Sequence, residues 1–154
     1  MNTPDTEYYR NVCAPRPMRH QCGEEGTKES PLPTLLLQSR TVMVVGDIDQ
    51  ERAEDVISRL LVLDAKSHDP IKVIITSPGG HVDSGYAIHD VMRFIASPVL
   101  SIGVGWVASI AVPILLGAAK DKRYALPNTR FLLHQPSGGA GGQAADIRIE
   151  AMEI

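Results

Sequence analysis

The 154-residue chain is poor in cysteine, poor in aromatic residues and without a strong charge of either sign. Its two cysteines, Cys13 and Cys22, lie in a stretch with no hydrophobic periodicity, and a disulfide-built secreted domain needs more than one pair. With His20 between them they would make half a metal site; two free thiols in a reducing compartment is the simpler reading. Aromatic residues are 5% of the chain and the net charge is −3 with the signs mixed. That excludes base-stacking platforms and the clustered Lys and Arg of a nucleic-acid face. The amino terminus has no basic start followed by an apolar core, so no secretory signal is read there. Asp5, Glu7, Glu24, Glu25 and Glu29 argue against an organellar transit peptide.

Charge is also missing from Ile95 to Ala119. A hydropathy window would take that stretch for a membrane span. Pro98, Gly103, Gly105 and Pro113 interrupt it, however, and a buried strand followed by a buried helix has the same mean hydropathy. No membrane contact is expected.

A hydrophobic content of 44% over this length suits one domain with a real core. Residues 1–33, with Pro4, Pro15, Pro17, Pro31 and Pro33, read as a flexible arm, and residues 34–154 as the domain. Leu35, Leu36 and Leu37 form an apolar patch placed to dock on a neighbour or on the domain's own core.

TVMVV (41–45) reads as a buried strand ended by Gly46. Asp47 or Asp49 caps the next helix, whose spacing buries Ala53, Val56, Ile57, Leu60 and Leu61 and which stops at His68, Asp69 and Pro70. IKVIIT (71–76) is the second strand, closed by SPGG (77–80). A helix follows from about Asp83 to Ala96, burying Ala87, Val91, Phe94 and Ile95. VLSIGV (99–104) is the third strand, residues 105–108 its turn, and a helix runs from about Ser109 to Ala119. RYAL (123–126) and RFLLH (130–134) are short strands joined at Pro127 and Asn128. A glycine loop (Gly138, Gly139, Gly141, Gly142) precedes a helix from Gln143 with Ala144, Ile147 and Ala151 on one side. Alternating strands and helices on short connections imply an α/β fold with a mostly parallel sheet.

Three of these strands end in residues that suit chemistry, the place where open α/β sheets build sites. Ser109 is a candidate nucleophile at a strand-to-helix turn, resembling a nucleophile elbow in kind but lacking G-x-S-x-G. Serine is also a common helix N-cap. His134 is the candidate base; His20, His68, His81 and His89 compete, but none ends a core strand. Gly80 lets its N–H approach a bound carbonyl. Asp83, Asp90, Asp121 and Asp146 are candidate third members with nothing to separate them. The glycine loop lacks the Lys and Ser/Thr of a phosphate cradle.

SPGG with its helix (77–96), G-x-x-A-S (105–109), LLGAAKDKRYALPNTR (115–130) and HQPSGGAGGQAADI (134–147) together resemble the Clp protease proteolytic-subunit family of serine peptidases. The resemblance covers residues 35–154. It implies a crotonase-like fold of stacked ββα units, Ser109 as nucleophile, His134 as general base, and an oxyanion hole of the Gly80 and Ile110 N–H groups, with no metal and no cofactor. It implies assembly with itself, as two stacked seven-membered rings, an unfoldase ATPase partner, unfolded polypeptide substrates, and a cytoplasmic location or an organellar stroma or matrix.

Three features depart from the family pattern. Its catalytic aspartate lies well past the histidine, beyond Ile154, so the domain reads as incomplete at its C-terminus. Ile110, Ala111, Val112 and Pro113 stand where Met-Gly-Ala and an aromatic are usual. The 1–33 arm is unlike the family's short axial segment. A catalytically impaired ring component is therefore the alternative reading. An acyl-CoA enzyme of the wider superfamily is a third, against which HQP and the serine-to-histidine spacing argue.

Overall fold

A computed structural model describes residues 31–135 and 142–153. The arm up to Ser30, with Cys13, His20 and Cys22, and the glycines of the loop before Gly142 lie outside the described residues. Helix α1 (Leu32–Gln38) occupies positions 32 and 33. Pro33 stands in the helix's first turn, where a missing N–H costs nothing. Leu37 packs against the core while Leu32 and Leu35 are exposed.

The sheet is built from β1 (Thr41–Val45), β2 (Ile71–Ser77), β3 (Val99–Ala108), β4 (Arg123–Ala125) and β5 (Arg130–Leu132). Its order is β1-β2-β3-β4, with β5 also on β3, and all four ladders are parallel. β3 is therefore the central strand, and it has two partners in series on one side. Residues 101–103 pair with β4 and residues 106–108 with β5. The α/β fold with a mostly parallel sheet is the one expected from the order of elements.

Helix α2 (Gln50–Lys66) and helix α3 (Val82–Phe94) make the crossovers. Asp49 caps α2 by accepting the Arg52 N–H at 2.7 Å. The α2 face that meets the sheet is Ala53, Val56, Leu60 and Leu63; Leu61 is exposed, against the sequence reading. Of the two leucines, Leu63 continues the i, i+4, i+7 row from Val56 through Leu60, and Leu61 falls just outside it. Val42, Val44, Ile71, Val73 and Ile75 from the strands complete the core.

The buried face of α3 also differs from the reading. Ser84, Gly85, Ile88 and Met92 point inward, while Ala87 is exposed and Phe94 stands almost fully out in solvent. The small residues decide this. Gly85 lies so close to the Ile110 side chain that a Cβ there would collide with it. The helix turns its small-residue stripe inward because only that stripe permits the approach. Ile95 is buried as expected, one residue beyond the helix end.

β3 runs four residues further than the sequence suggests, through Gly105 to Ala108. Gly105 reads as a strand terminator, but the sheet absorbs it as an irregularity, seen as a register shift between Ile75 and Ser77 on the facing strand. Helix α4 is correspondingly shorter, Ala111–Leu116 rather than 109–119. A 3-10 turn (Lys120–Lys122) leads into β4. Helix α5 (Ala144–Glu153) carries Ala144, Ile147 and Ala151 as expected, but all three are exposed. No helix among the described residues is long and apolar enough to cross a membrane.

Candidate active site

The site forms at the carboxyl ends of β2, β3 and β5. Ser109 follows the last residue of β3, and its N–H donates to Leu132 O at 2.8 Å, so β5 continues to hold the chain past the strand end. Its backbone is left-handed, φ +54°, a conformation that costs an L residue with a Cβ about 1–2 kcal/mol. The N-cap of α4 is Ile110, with no side-chain capping bond. Ser109 is thus not the capping serine that its position in the sequence allows. Its Oγ makes no hydrogen bond to any described residue. A strained residue at a sharp strand-to-helix turn, its hydroxyl bonded to none of the described residues, has the geometry of a nucleophile elbow.

His134 stands two residues beyond β5 and shares a pocket of about 160 Å³ with Ser109, Ile110, Val82, Tyr86, Pro113 and Leu133. The imidazole is exposed and makes no hydrogen bond to a described residue. Ser109 and His134 therefore face one space without being bonded across it. The other described histidines have structural partners. His68 meets Asp64 at 3.2 Å, His89 meets Asp90 at 2.9 Å, and His81 Nδ1 accepts the Ser84 N–H to cap α3.

The SPGG turn lies against Ser109. Gly79 (φ +103°) has its Cα so near that a Cβ would stand 2.6 Å from Ser109 Cβ and 3.2 Å from Oγ. Its carbonyl accepts the Ile48 N–H at 2.9 Å, and the His81 N–H donates to Ile48 O at 2.7 Å. In that parallel bridge the Gly80 N–H points away from Ile48. It has no acceptor among the described residues, and neither does the Ile110 N–H. Gly80 itself (φ +148°) admits no side chain, since a Cβ would run into Ile48 O.

Of the candidate carboxylates, Asp83 lies 3.9 Å from His81 Nε2, Asp90 bonds His89, and Asp121 lies 3.5 Å from Lys122 Nζ. None of the four, Asp146 included, is bonded to His134. No cluster of three His, Cys, Asp or Glu able to hold a metal occurs among the described residues.

The sequence reading named Ser109, His134, Gly80 and Ile110 and missed the walls of the pocket. Val82 and Tyr86 were assigned to no face of α3, and Leu133 was taken only as part of a strand. It also missed Gly79. The signal for that residue was present: two consecutive glycines where a strand-to-helix turn needs only one.

Residues 24–154 match the family model described as Clp protease. The chain is 48% identical over 141 residues to ATP-dependent Clp protease proteolytic subunit 3 of Rhizobium johnstonii, covering 89% of this chain and 73% of that one. It is 47% identical over 146 residues to proteolytic subunit 2 of Gluconobacter oxydans, covering 92% and 65%. Among solved structures, ClpP1 from Listeria monocytogenes superposes with a TM-score of 0.68 at 46% identity, over 79% of this chain and 72% of that one. With the elbow serine, the double glycine and the histidine carried on a ClpP-type parallel sheet, this chain belongs to the Clp protease proteolytic-subunit family of peptidases.

Proposed function

We propose that the chain is a serine endopeptidase subunit of an ATP-dependent Clp protease, with Ser109 as nucleophile and His134 as general base. Ser109 Oγ attacks the scissile carbonyl carbon while an imidazole nitrogen of His134 takes its proton. The carbonyl oxygen becomes an oxyanion facing the N–H groups of Gly80 and Ile110. Collapse breaks the C–N bond, and His134 returns the proton to the departing amine. The acyl ester left on Ser109 is released by water, with His134 again as base.

The observation that carries this reading is the left-handed turn at Ser109, with a hydroxyl that bonds to none of the described residues and opens onto the pocket that holds His134. The exposed apolar side chains on α1, α3 and α5 support assembly with further copies of the chain. The proposed assembly is two stacked rings of seven, fed with unfolded polypeptide by a Clp ATPase in the cytoplasm or an organellar stroma or matrix. The closed Ser109–His134 hydrogen bond would form on substrate binding or assembly, as apo sites often tighten only then.

A second reading, a ring component with little activity of its own, is favoured by one observation: no carboxylate among the described residues orients His134. In serine proteases, loss of that orientation costs about 10⁴-fold in kcat. The two separate on hydrolysis of a fluorogenic peptide by the assembled protein and by S109A. Turnover in the first and none in the second supports the enzyme; equal background in both supports the ring component.

A further inference from the structure

We propose that Ser77, the buried last residue of β2, is a positioning residue that sets the Ser109 nucleophile and the Gly80 amide through the hydrogen bonds of its hydroxyl to Gly79. The inference rests on the serine-peptidase reading above.

Ser77 is 2% exposed, so it reaches neither substrate nor the reacting atoms. Its Oγ accepts the Gly79 N–H at 3.0 Å, a side-chain bond two residues forward of the kind that bends a chain locally. Ser77 stands opposite Val107 where β2 is out of register with β3, so the ladder does not pair the residues after it. The hydroxyl supplies what the ladder no longer does. Gly79 is then fixed from two sides, by Ser77 Oγ at its N–H and, at its carbonyl, by the Ile48 N–H at 2.9 Å with the Ser77 hydroxyl donating at a longer 3.5 Å.

Two consequences reach the site. The Gly79 Cα forms the surface against which Ser109 Cβ and Oγ lie, and thereby limits where the hydroxyl can point. The orientation of the Gly79–Gly80 peptide decides whether the Gly80 N–H faces the pocket or turns away from it. One buried hydroxyl thus aligns nucleophile and oxyanion donor together. An alanine at 77 keeps the Cβ and the packing but leaves the Gly79 N–H without its acceptor.

The test is steady-state hydrolysis of a fluorogenic peptide by the assembled protein, wild type against S77A and S77T, with thermal melts of each. Misplacement of catalytic groups by about 1 Å costs up to about 10²-fold, so S77A should lower kcat by about 10- to 100-fold. KM should stay within about twofold, since ground-state binding is untouched. The pH at which the acid limb of the profile bends should not move, because His134 is not involved. S77T, which keeps the acceptor, should recover most of the kcat. Wild-type kcat in folded S77A overturns the inference. So does a deficit that vanishes on cooling well below the melting transition, or an S77T as poor as S77A, which would make volume rather than the hydrogen bond the requirement. Absence of turnover in the wild type would remove the peptidase reading and this inference with it; an active wild type beside an S77A of undiminished kcat removes the inference alone.

Discussion

Two non-glycine residues among those described hold a left-handed backbone, Arg40 at φ +50° and Ser109 at φ +54°, and they sit at opposite ends of the parallel sheet. Arg40 enters β1 at the amino ends of the strands. Its guanidinium donates to the carbonyls of Leu63, Ser67, Asp69 and Pro70 and to Ser97 Oγ. Asp64 completes that end, accepting from Ser97 N–H and Oγ–H and from the Ala96 N–H. Ser109 leaves β3 at the carboxyl ends, and its side chain bonds to none of the described residues. Each backbone costs about the same. At Arg40 the cost is offset by bonds that tie the α2 end to the loops before β2 and β3. At Ser109 it is left standing, and what it yields is a half-buried hydroxyl facing the pocket. One strained residue holds the fold together and the other is held by the fold.

Substitutions should separate the two ends cleanly. The largest effect expected is on turnover: Ser109→Ala should lower peptide hydrolysis by at least about 10⁴-fold, with melting unchanged or slightly improved. Ser109→Gly, which relieves the left-handed strain, should be equally inactive and up to about 1 kcal/mol more stable by denaturant titration. At the other end Arg40→Ala should cost about 2–3 kcal/mol, because several carbonyls lose a charged donor at once. It should leave kcat unaltered wherever the protein is folded. A large fall in kcat for Arg40→Ala in folded protein would break the division.

Acid sharpens the same contrast. The Ser97 hydroxyl, helped by the Ser97 N–H, His68 and the Ala96 N–H and opposed by burial, lowers the Asp64 carboxyl from its ordinary value to about 2. A carboxylate depressed on folding stabilises the native state above its unfolded pKa of about 3.9. That contribution should be lost as pH falls from about 4 towards 2. Melts across that range should show Asp64→Asn with a flatter pH dependence than the wild type, and equal slopes would contradict it. The smallest effect expected is at His81, whose imidazole caps α3 beside the site. His81→Ala should cost about 1 kcal/mol and His81→Asn, itself a good cap, much less.

The amino-end half of the molecule was largely legible. TVMVV and IKVIIT are β-branched runs with clear stops, and Asp49 is a cap at the expected place, because local chemistry suffices for both. The site half was legible in its residue types but not in its backbone. Gly105 ends a strand on local rules, yet β5 pairs with β3 beyond it and carries the strand on to Ala108. That pairing brings together residues more than twenty positions apart, and no local pattern encodes it. Ser109 therefore lies at a strained elbow, not at a helix cap. Phe94 is expected on the buried side of the helix together with Ala87, Val91 and Ile95; the helix instead docks through Gly85 and Ser84, and only the position of Ile110 decides that. The His134 carboxylate partner could not be chosen from sequence, and the described residues contain none bonded to it.

The central claim is that Ser109 is made nucleophilic by His134 across their shared pocket. The most direct measurement is the rate at which a fluorophosphonate probe modifies the assembled protein, with the labelled peptide identified by mass spectrometry, in wild type and in His134→Ala. The account predicts a single label on Ser109 in the wild type and a rate at least about 10³-fold slower in the variant. An unlabelled wild type, or equal rates in the two proteins, would contradict it.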